Sequence, residues 1–322
     1  MRRRGLLAAL AMPALAPPSL ASAQPAWPSR PIRMLIPFPP GGTTDILGRY
    51  LAPPLSAALG QNVIVENRTG GNGAVAIVET TRAAPDGHTI CMSISTLITQ
   101  ALLTKQPYHP INDVTPILHL ANVGNIVVVN QALPINSLAE LVAYAKANPG
   151  RLSYGSPGIG SSVHLSGELF SQAAGIRMVH VPYRGGGPAL ADLVAGNIQL
   201  MFGNASSTLP FVRGGSVRPL AVTSATRQAY APDLPTIAES GYPGFAVVEW
   251  YAMIGPAGMP PAVVERINRE IMAIVGTPDG RARLLDLGAE VVGGTPAEFG
   301  AFLRADLTRT EALIRGANIK AE

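Results

Sequence analysis

The stretch that decides the reading is PIRMLIPFPPGGTTDILGRYL, residues 31–51. Ile32-Arg33-Met34-Leu35-Ile36 is an almost unbroken apolar run, the pattern of a strand covered on both faces in a parallel sheet. Pro37-Phe38-Pro39-Pro40-Gly41-Gly42 can continue neither strand nor helix, so the chain must turn. Thr43 or Thr44 can then cap a helix, with Asp45 in its first turn, where a carboxylate suits the helix dipole. Strand, glycine turn and helix start together leave backbone N–H groups pointing out of the sheet's carboxyl edge. That is an anion site needing no basic side chain. Taken alone, the same glycines serve equally well to make a tight turn.

Working outward, Ile46, Leu47, Tyr50, Leu51, Leu55 and Leu59 give the helix an apolar face as far as Gly60. Pro53-Pro54 predicts a kink or break within it, since an internal proline costs roughly 3 kcal/mol. Val63–Asn67 reads as a second strand, followed by Gly70-Gly71-Asn72-Gly73 and a short helix from about Ala74 to Ala83. Pro85-Asp86-Gly87 turns into a third strand, Thr89–Ser93, with the hydroxyls of Ser95 and Thr96 where strand ends face a cleft. Strands alternating with helices predict an α/β fold with a parallel sheet.

Ile126–Val129 opens a second segment, after which Ser137 caps a helix through Ala147. Leu152-Ser153-Tyr154 then leads into Gly155–Ser162 and a helix to Ala174. Met178–Val181 leads into Pro182–Pro188 and a helix with Leu190, Leu193 and Val194 on one face. Ile198–Phe202 is a strand ending in Gly203-Asn204-Ala205-Ser206-Ser207. This segment repeats the plan of the opening: strand, glycine turn, helix start. Such starts in separate halves suit a cleft that holds an anion from both sides. Further strands are expected at Val217–Thr223 and at Ala246–Ile254, which contains Glu249, Trp250 and Tyr251. Helices starting at Pro260-Pro261 and after Thr295-Pro296 read as scaffold.

A chain of 322 residues suits two domains, and 47% hydrophobic against 14% charged residues excludes disorder. The first 23 residues have the plan of a secretory signal: Arg2–Arg4, an apolar core over Gly5–Leu15, and Ala21-Ser22-Ala23 before Gln24. Removing those three arginines takes the formal charge from +4 to +1. No basic run or arginine–aromatic alternation follows, so nucleic acid is not an expected partner. Cys91 is the only cysteine, which excludes an internal disulfide. The mature protein is expected to be exported, soluble and monomeric.

Catalytic signatures are sought without success. There is no G-x-S-x-G elbow, and Cys91 follows strand residues with no glycine-rich elbow around it. His88, His109, His119, His164 and His180 lack the paired spacing of a zinc site. Gly158-Ile159-Gly160 and Gly71-Asn72-Gly73 fall short of the dinucleotide fingerprint, and no phosphate-binding G-x-x-x-x-G-K-[ST] occurs. No cofactor or metal is expected. Asp45 reads as a helix-start stabiliser, His164 as a packed or hydrogen-bonded ring, Arg184 as a solvated charge and Trp250 as core or hinge packing, with ligand contact the alternative reading of each. Tyr183 suits ligand stacking and domain packing equally.

Several phrases in a fixed order carry a resemblance: WPSRPIRMLIPFPPGGTTD, LGQNVIVENRTGGNGAVA, GSPGIGSSVHLSGELF, VHVPYRGGGPALADLVAGNIQLMFGN and EWYAMIGPAGMP. From about Trp27 to the C-terminus the chain closely resembles the Bug family, the extracytoplasmic solute-binding receptors of tripartite tricarboxylate transporters. The resemblance implies an α/β, two-domain Venus-flytrap fold of the periplasmic binding protein type (type II-like), hinged around a central cleft. The signal would occupy 1–23, domain one 28–123 plus 226–322, and domain two 124–225. It implies a small carboxylate ligand, held largely by backbone groups and delivered to a membrane permease, with no catalysis.

Carried onto this sequence, the first ligand turn is Phe38, Pro39, Gly41, Gly42, Thr43 and Thr44. The opposing turn is Tyr183, Gly185, Gly186 and Gly187. Further contacts fall at Ser95, Thr96, Ser156, Gly160, Ser161 and Asn204. Three departures stand out. Gly203 replaces the aspartate common before the asparagine, which argues against ligands needing a carboxylate partner for an amine. Pro53-Pro54 replaces polar helix residues, and Gly185-Gly186-Gly187 makes a smaller, more permissive wall. Two alternatives remain open: an exported sensor domain for a signalling partner, and an exported α/β enzyme acting on a carboxylate. A nucleophile–base pair converging in the cleft would favour the enzyme.

Overall fold

The computed structural model describes residues 27–316 and 319–320, so the signal expected over 1–23 lies outside the described residues. Strand β1 (Ile32–Ile36) is buried between β2 (Val63–Asn67) and β3 (Thr89–Ile94) and runs parallel to both. Each of these strands feeds a helix at its carboxyl end: α1 (Thr43–Leu59), α2 (Ala74–Thr81) and α3 (Thr96–Leu103).

The next strand, β4 (Val114–Asn130), has 17 residues and belongs to two sheets. Its first part, Val114–Gly124, pairs antiparallel with β9 (Val248–Pro256), which in turn pairs with β3. From Asn125 onward it pairs with β7 (Leu200–Asn204) and β8 (Val217–Val222). The second sheet continues from β7 to β5 (Ser153–Ser156) and β6 (Val179–Pro182), again parallel. Each sheet with its helices forms one lobe. The parallel sheet expected from the alternating pattern is therefore mixed, because the crossing strands β4 and β9 run against their neighbours.

In the second lobe, α4 (Leu138–Ala147) lies ahead of the three strand-to-helix units. β5 feeds α5 (Ser162–Ala174), β6 feeds α6 (Gly186–Ala195) and β7 feeds α7 (Ala205–Arg213). Helices α8 (Pro261–Val275), α9 (Pro278–Asp286) and α10 (Pro296–Gly316) return to the first lobe, with short β10 (Glu290–Val291) pairing β4 between the last two.

Two local expectations are corrected. Helix α1 runs unbroken through Pro53 and Pro54. Pro53 is exposed and Pro54 half-buried, so the carbonyls that lose their N–H partners sit toward water, while Leu47, Leu51, Leu55 and Leu59 hold the opposite face in the core. Neither Thr43 nor Thr44 is its cap: Gly42 takes that position, with no side chain bonding to it. Trp250 is core, its Nε1 donating to Asp306 Oδ2 at 2.9 Å and its ring edge-on to Phe299. Among the described residues no helix is long and apolar enough to cross a membrane.

Candidate functional site

The helix starts divide into two kinds. At α4, α5 and α9 a side chain closes the first turn: Ser137, Ser161 and Thr277 accept from the N–H of Glu140, His164 and Gly280. At α1, α2, α3, α6, α7 and α8 no side chain does so; three of these, α1, α6 and α7, have Gly42, Gly185 and Asn204 at the capping position. In each, first-turn N–H groups lack intrahelical partners. These three bare ends, one from the first lobe and two from the second, converge on one inner recess. Gly42, Thr43, Thr44, Gly186, Asn204 and Ser207 line it, with Phe38, Ile94, Pro157, Glu249 and Tyr251. Its free volume is about 20 Å³, room for about one water. No lysine, arginine or histidine is in the lining.

Phe38 and Pro157 line both this recess and a larger outer cavity of about 570 Å³ between the lobes. The outer cavity is walled by Pro39, Tyr183 and Arg184, by the glycine loop Gly70–Gly73, and by Gln100 and Ile159. At its rim the lobes touch. The Ile159 carbonyl, in the second lobe, accepts the Gln100 side-chain amide at 2.8 Å and the Asn72 amide as well, both from the first lobe. Gly185 approaches Pro39 so closely that a Cβ on it would come within 2.8 Å of the proline ring.

The expected site residues therefore fall into four groups. Phe38, Gly42, Thr43, Thr44, Gly186 and Asn204 are brought together in the recess, and Phe38, Pro39 and Tyr183 face the outer cavity. Gly185 and Gly187 back the recess at the lobe contact without lining it. The others act through neighbours. Gly41 gives its N–H to Asp45 Oδ2 at 3.1 Å, Ser95 gives its N–H to Glu249, and Thr96 starts α3. Ser156 is fully buried, its Oγ 2.6 Å from His180 Nε2. Gly160 donates to His164 Nδ1 at 3.1 Å, and Ser161 caps α5. Burial, together with nearby His164, pushes the His180 imidazole down to about 3, so that ring stays neutral.

Asp45 behaves as a helix-start stabiliser. Burial pushes its carboxyl up, but Arg49, Asn67 and the Gly41 N–H outweigh that and hold it below the usual carboxylate range. Tyr183 donates from its hydroxyl to Asp192 Oδ2 at 2.7 Å, which fixes the ring in the cavity wall. Gly203 has no room for a side chain, since a Cβ would meet Thr208 Oγ1 at 2.3 Å.

Glu249 was read in the sequence only as a strand residue. It is 1% exposed and lines the recess, so the recess contains a carboxyl group after all, supplied by β9 instead of the β7 loop. Oε1 accepts the Ser95 N–H at 2.9 Å and Oε2 the Ser162 N–H at 3.4 Å. Burial pushes its pKa up, and the bonds from Ser95 and Ser162 only partly offset this. A lone acid inside an apolar strand is the signal that could have marked it. Asn72 and Gln100 gave no such signal, because their role depends on a partner in the other lobe.

The model of the tripartite tricarboxylate transporter family receptor matches residues 47–319. The chain is 35% identical to the protein BugT of Bordetella pertussis over 299 residues, 91% of this chain and 92% of that one. Among solved structures, an R. palustris protein with adipate superposes with a TM-score of 0.89 at 36% identity, covering 91% of this chain and 99% of the other. MatC from Rhodopseudomonas palustris, with bound malate, gives 0.84 at 30% identity, covering 89% and 100%. The fold is thus that of the two-domain periplasmic binding proteins of this type, and the chain belongs to the family of tripartite tricarboxylate transporter receptors, a family of solute-binding proteins and not of enzymes.

Proposed function

We propose that this receptor captures a small carboxylate at the inner recess, which widens as the lobes part to admit the acid group, with the rest of the ligand in the outer cavity, and hands it to the membrane permease of a tripartite transporter. The observation that carries this reading is the convergence of three bare helix starts, from both lobes, on a recess without a cation. Each start favours a bound anion by about 0.3–2 kcal/mol, and an enclosed site strengthens those interactions. Adipate and malate in the two related structures support a carboxylate as the ligand class. Gly42, Thr43, Thr44, Gly186 and Asn204 are the proposed contacts to the acid group; Phe38, Pro39 and Tyr183 the contacts to its body. Ser95, Thr96, Ser156, Gly160, Ser161, Gly41, Gly185 and Gly187 shape the turns behind them.

We assign residues 28–123 with 226–322 to the first domain and 124–225 to the second, the hinge lying where β4 changes sheets. Export through the N-terminal signal and action as a monomer complete the reading. The sensor alternative shares the same ligand chemistry and differs only in the partner. The test is a thermal-shift and calorimetric screen of mono- and dicarboxylates, amino acids and sugars on the mature protein. Carboxylates alone should raise the melting temperature with one-to-one binding. Sugars or cations stabilising the protein while every carboxylate fails would overturn the assignment.

A further inference from the structure

Glu249 is the only acidic residue in the recess lining. Its oxygens bond to the first turns of α3 in one lobe and α5 in the other, so this carboxyl already occupies two helix starts beside the three bare ones. Among the described residues no lysine, arginine or histidine shares the recess lining with it. On its own strand the nearby titratable group is the Tyr251 phenol, itself pushed up by burial and by Glu249. Helix α1 brings Asp45, which is paired with Arg49 and Asn67. Helix α5 brings His164, engaged by the Gly160 N–H and with its ring tilted against that of His180, centroids 4.2 Å apart. Helices α6 and α7 contribute Gly186, Asn204 and Ser207 to the lining, and β4 places Val123 opposite Glu249.

An acid group held by α1, α6 and α7 comes to lie against this same lining, beside Glu249. Two carboxylates sharing one enclosed site cannot both stay ionised, and a proton settles on one of them. Ligand carboxylates are intrinsically no more basic than a glutamate in water, and the bare helix starts favour the ionised form of whatever they hold. Glu249, sealed from water, is therefore where the proton goes.

We propose, resting on the carboxylate reading above, that Glu249 is a specificity residue that admits an acid group only in its neutral form, so that capture takes up one proton wherever free Glu249 is ionised. Neutral Glu249 also turns from pure acceptor into a donor, which suits an acid and disfavours an ammonium.

The experiment is calorimetry on the wild type and Glu249→Gln with a carboxylate panel headed by adipate and malate, from about pH 6.5 to pH 9, in buffers of different ionisation enthalpy. Above the pH at which free Glu249 ionises, wild-type affinity should fall by up to roughly tenfold per pH unit, with uptake approaching about one proton. The Gln variant should show a flat profile and no uptake. Infrared spectra of the loaded wild type should carry a protonated-carboxyl band absent from the variant, which reads the proton directly even where the variant binds weakly. Equal pH slopes in the two proteins, no such band, or a preference for amino acids that strengthens with pH would each overturn the proposal. If no carboxylate binds the wild type at any pH, the carboxylate reading fails first and takes this proposal with it.

Discussion

The contact most open to a quantitative test is the rim clasp on Ile159. Its carbonyl accepts side-chain amides from Asn72 and Gln100, and both bonds span the two lobes. They exist only while the lobes are shut, so removing them acts on closure and leaves the recess untouched. A neutral hydrogen bond of this kind is worth about 0.5–1.5 kcal/mol net. Gln100→Ala should then weaken ligand binding roughly fivefold, and Asn72→Ala/Gln100→Ala roughly thirtyfold, about 2 kcal/mol in all. This holds if the ligand-free protein rests open, because closing free energy then enters the observed affinity in full. Surface plasmon resonance with an immobilised receptor and a carboxylate found in the screen separates the rates. The dissociation rate should rise by most of that factor while association changes little. A double variant within twofold of wild-type affinity, or a loss carried wholly by association, would refute the clasp.

Two further outcomes follow from the geometry. Gly203→Asp pushes a Cβ to 2.3 Å from Thr208 Oγ1, so overpacking should cost about 1–3 kcal/mol. Melting should fall and recover in Gly203→Asp/Thr208→Ala; an unchanged melting temperature would count against the packing described. Asp45 is held below the usual carboxylate range in the folded protein, so its contribution to stability is fully present above the unfolded-state value of about 4 and is lost as pH falls through the lower, folded value. The melting penalty of Asp45→Asn should accordingly be constant above about pH 5 and shrink as the solution is made more acid; a penalty that grows on acidification contradicts the pairing with Arg49 and Asn67.

Much of this architecture is local in origin and was legible as such. β1, the turn after it and the apolar face of α1 follow from the order of residues alone, as does Ser137 capping α4. Where reading failed, a local rule was overruled by position. A threonine hydroxyl can cap a helix, yet glycine suits the position about as well and Gly42 caps α1; proline disfavours helix interiors, yet Pro53 and Pro54 sit toward the wet face. Helix α7 was missed because Pro210 and the polar run Ala205–Thr208 look like loop. The first half of β4 was hidden by Pro116, His119, Asn122 and Gly124, which interrupt its apolar run and accompany register shifts against β9. Within the site, the residues on the glycine turns were found, since each turn announces itself. Glu249 and the clasp were not, because they bring together residues 59 to 154 positions apart, a distance over which sequence pattern is silent.

A single strand threading both sheets has a mechanical consequence. Because β4 is hydrogen-bonded on both sides of Gly124, the two halves of the molecule are joined by a ribbon that can twist but cannot slacken. Heat should therefore undo them together, in one cooperative step, and rocking of one against the other should run through a twist of this shared strand. A carrier that loads and unloads repeatedly gains from such a joint: its jaws reopen along one path and never lose alignment.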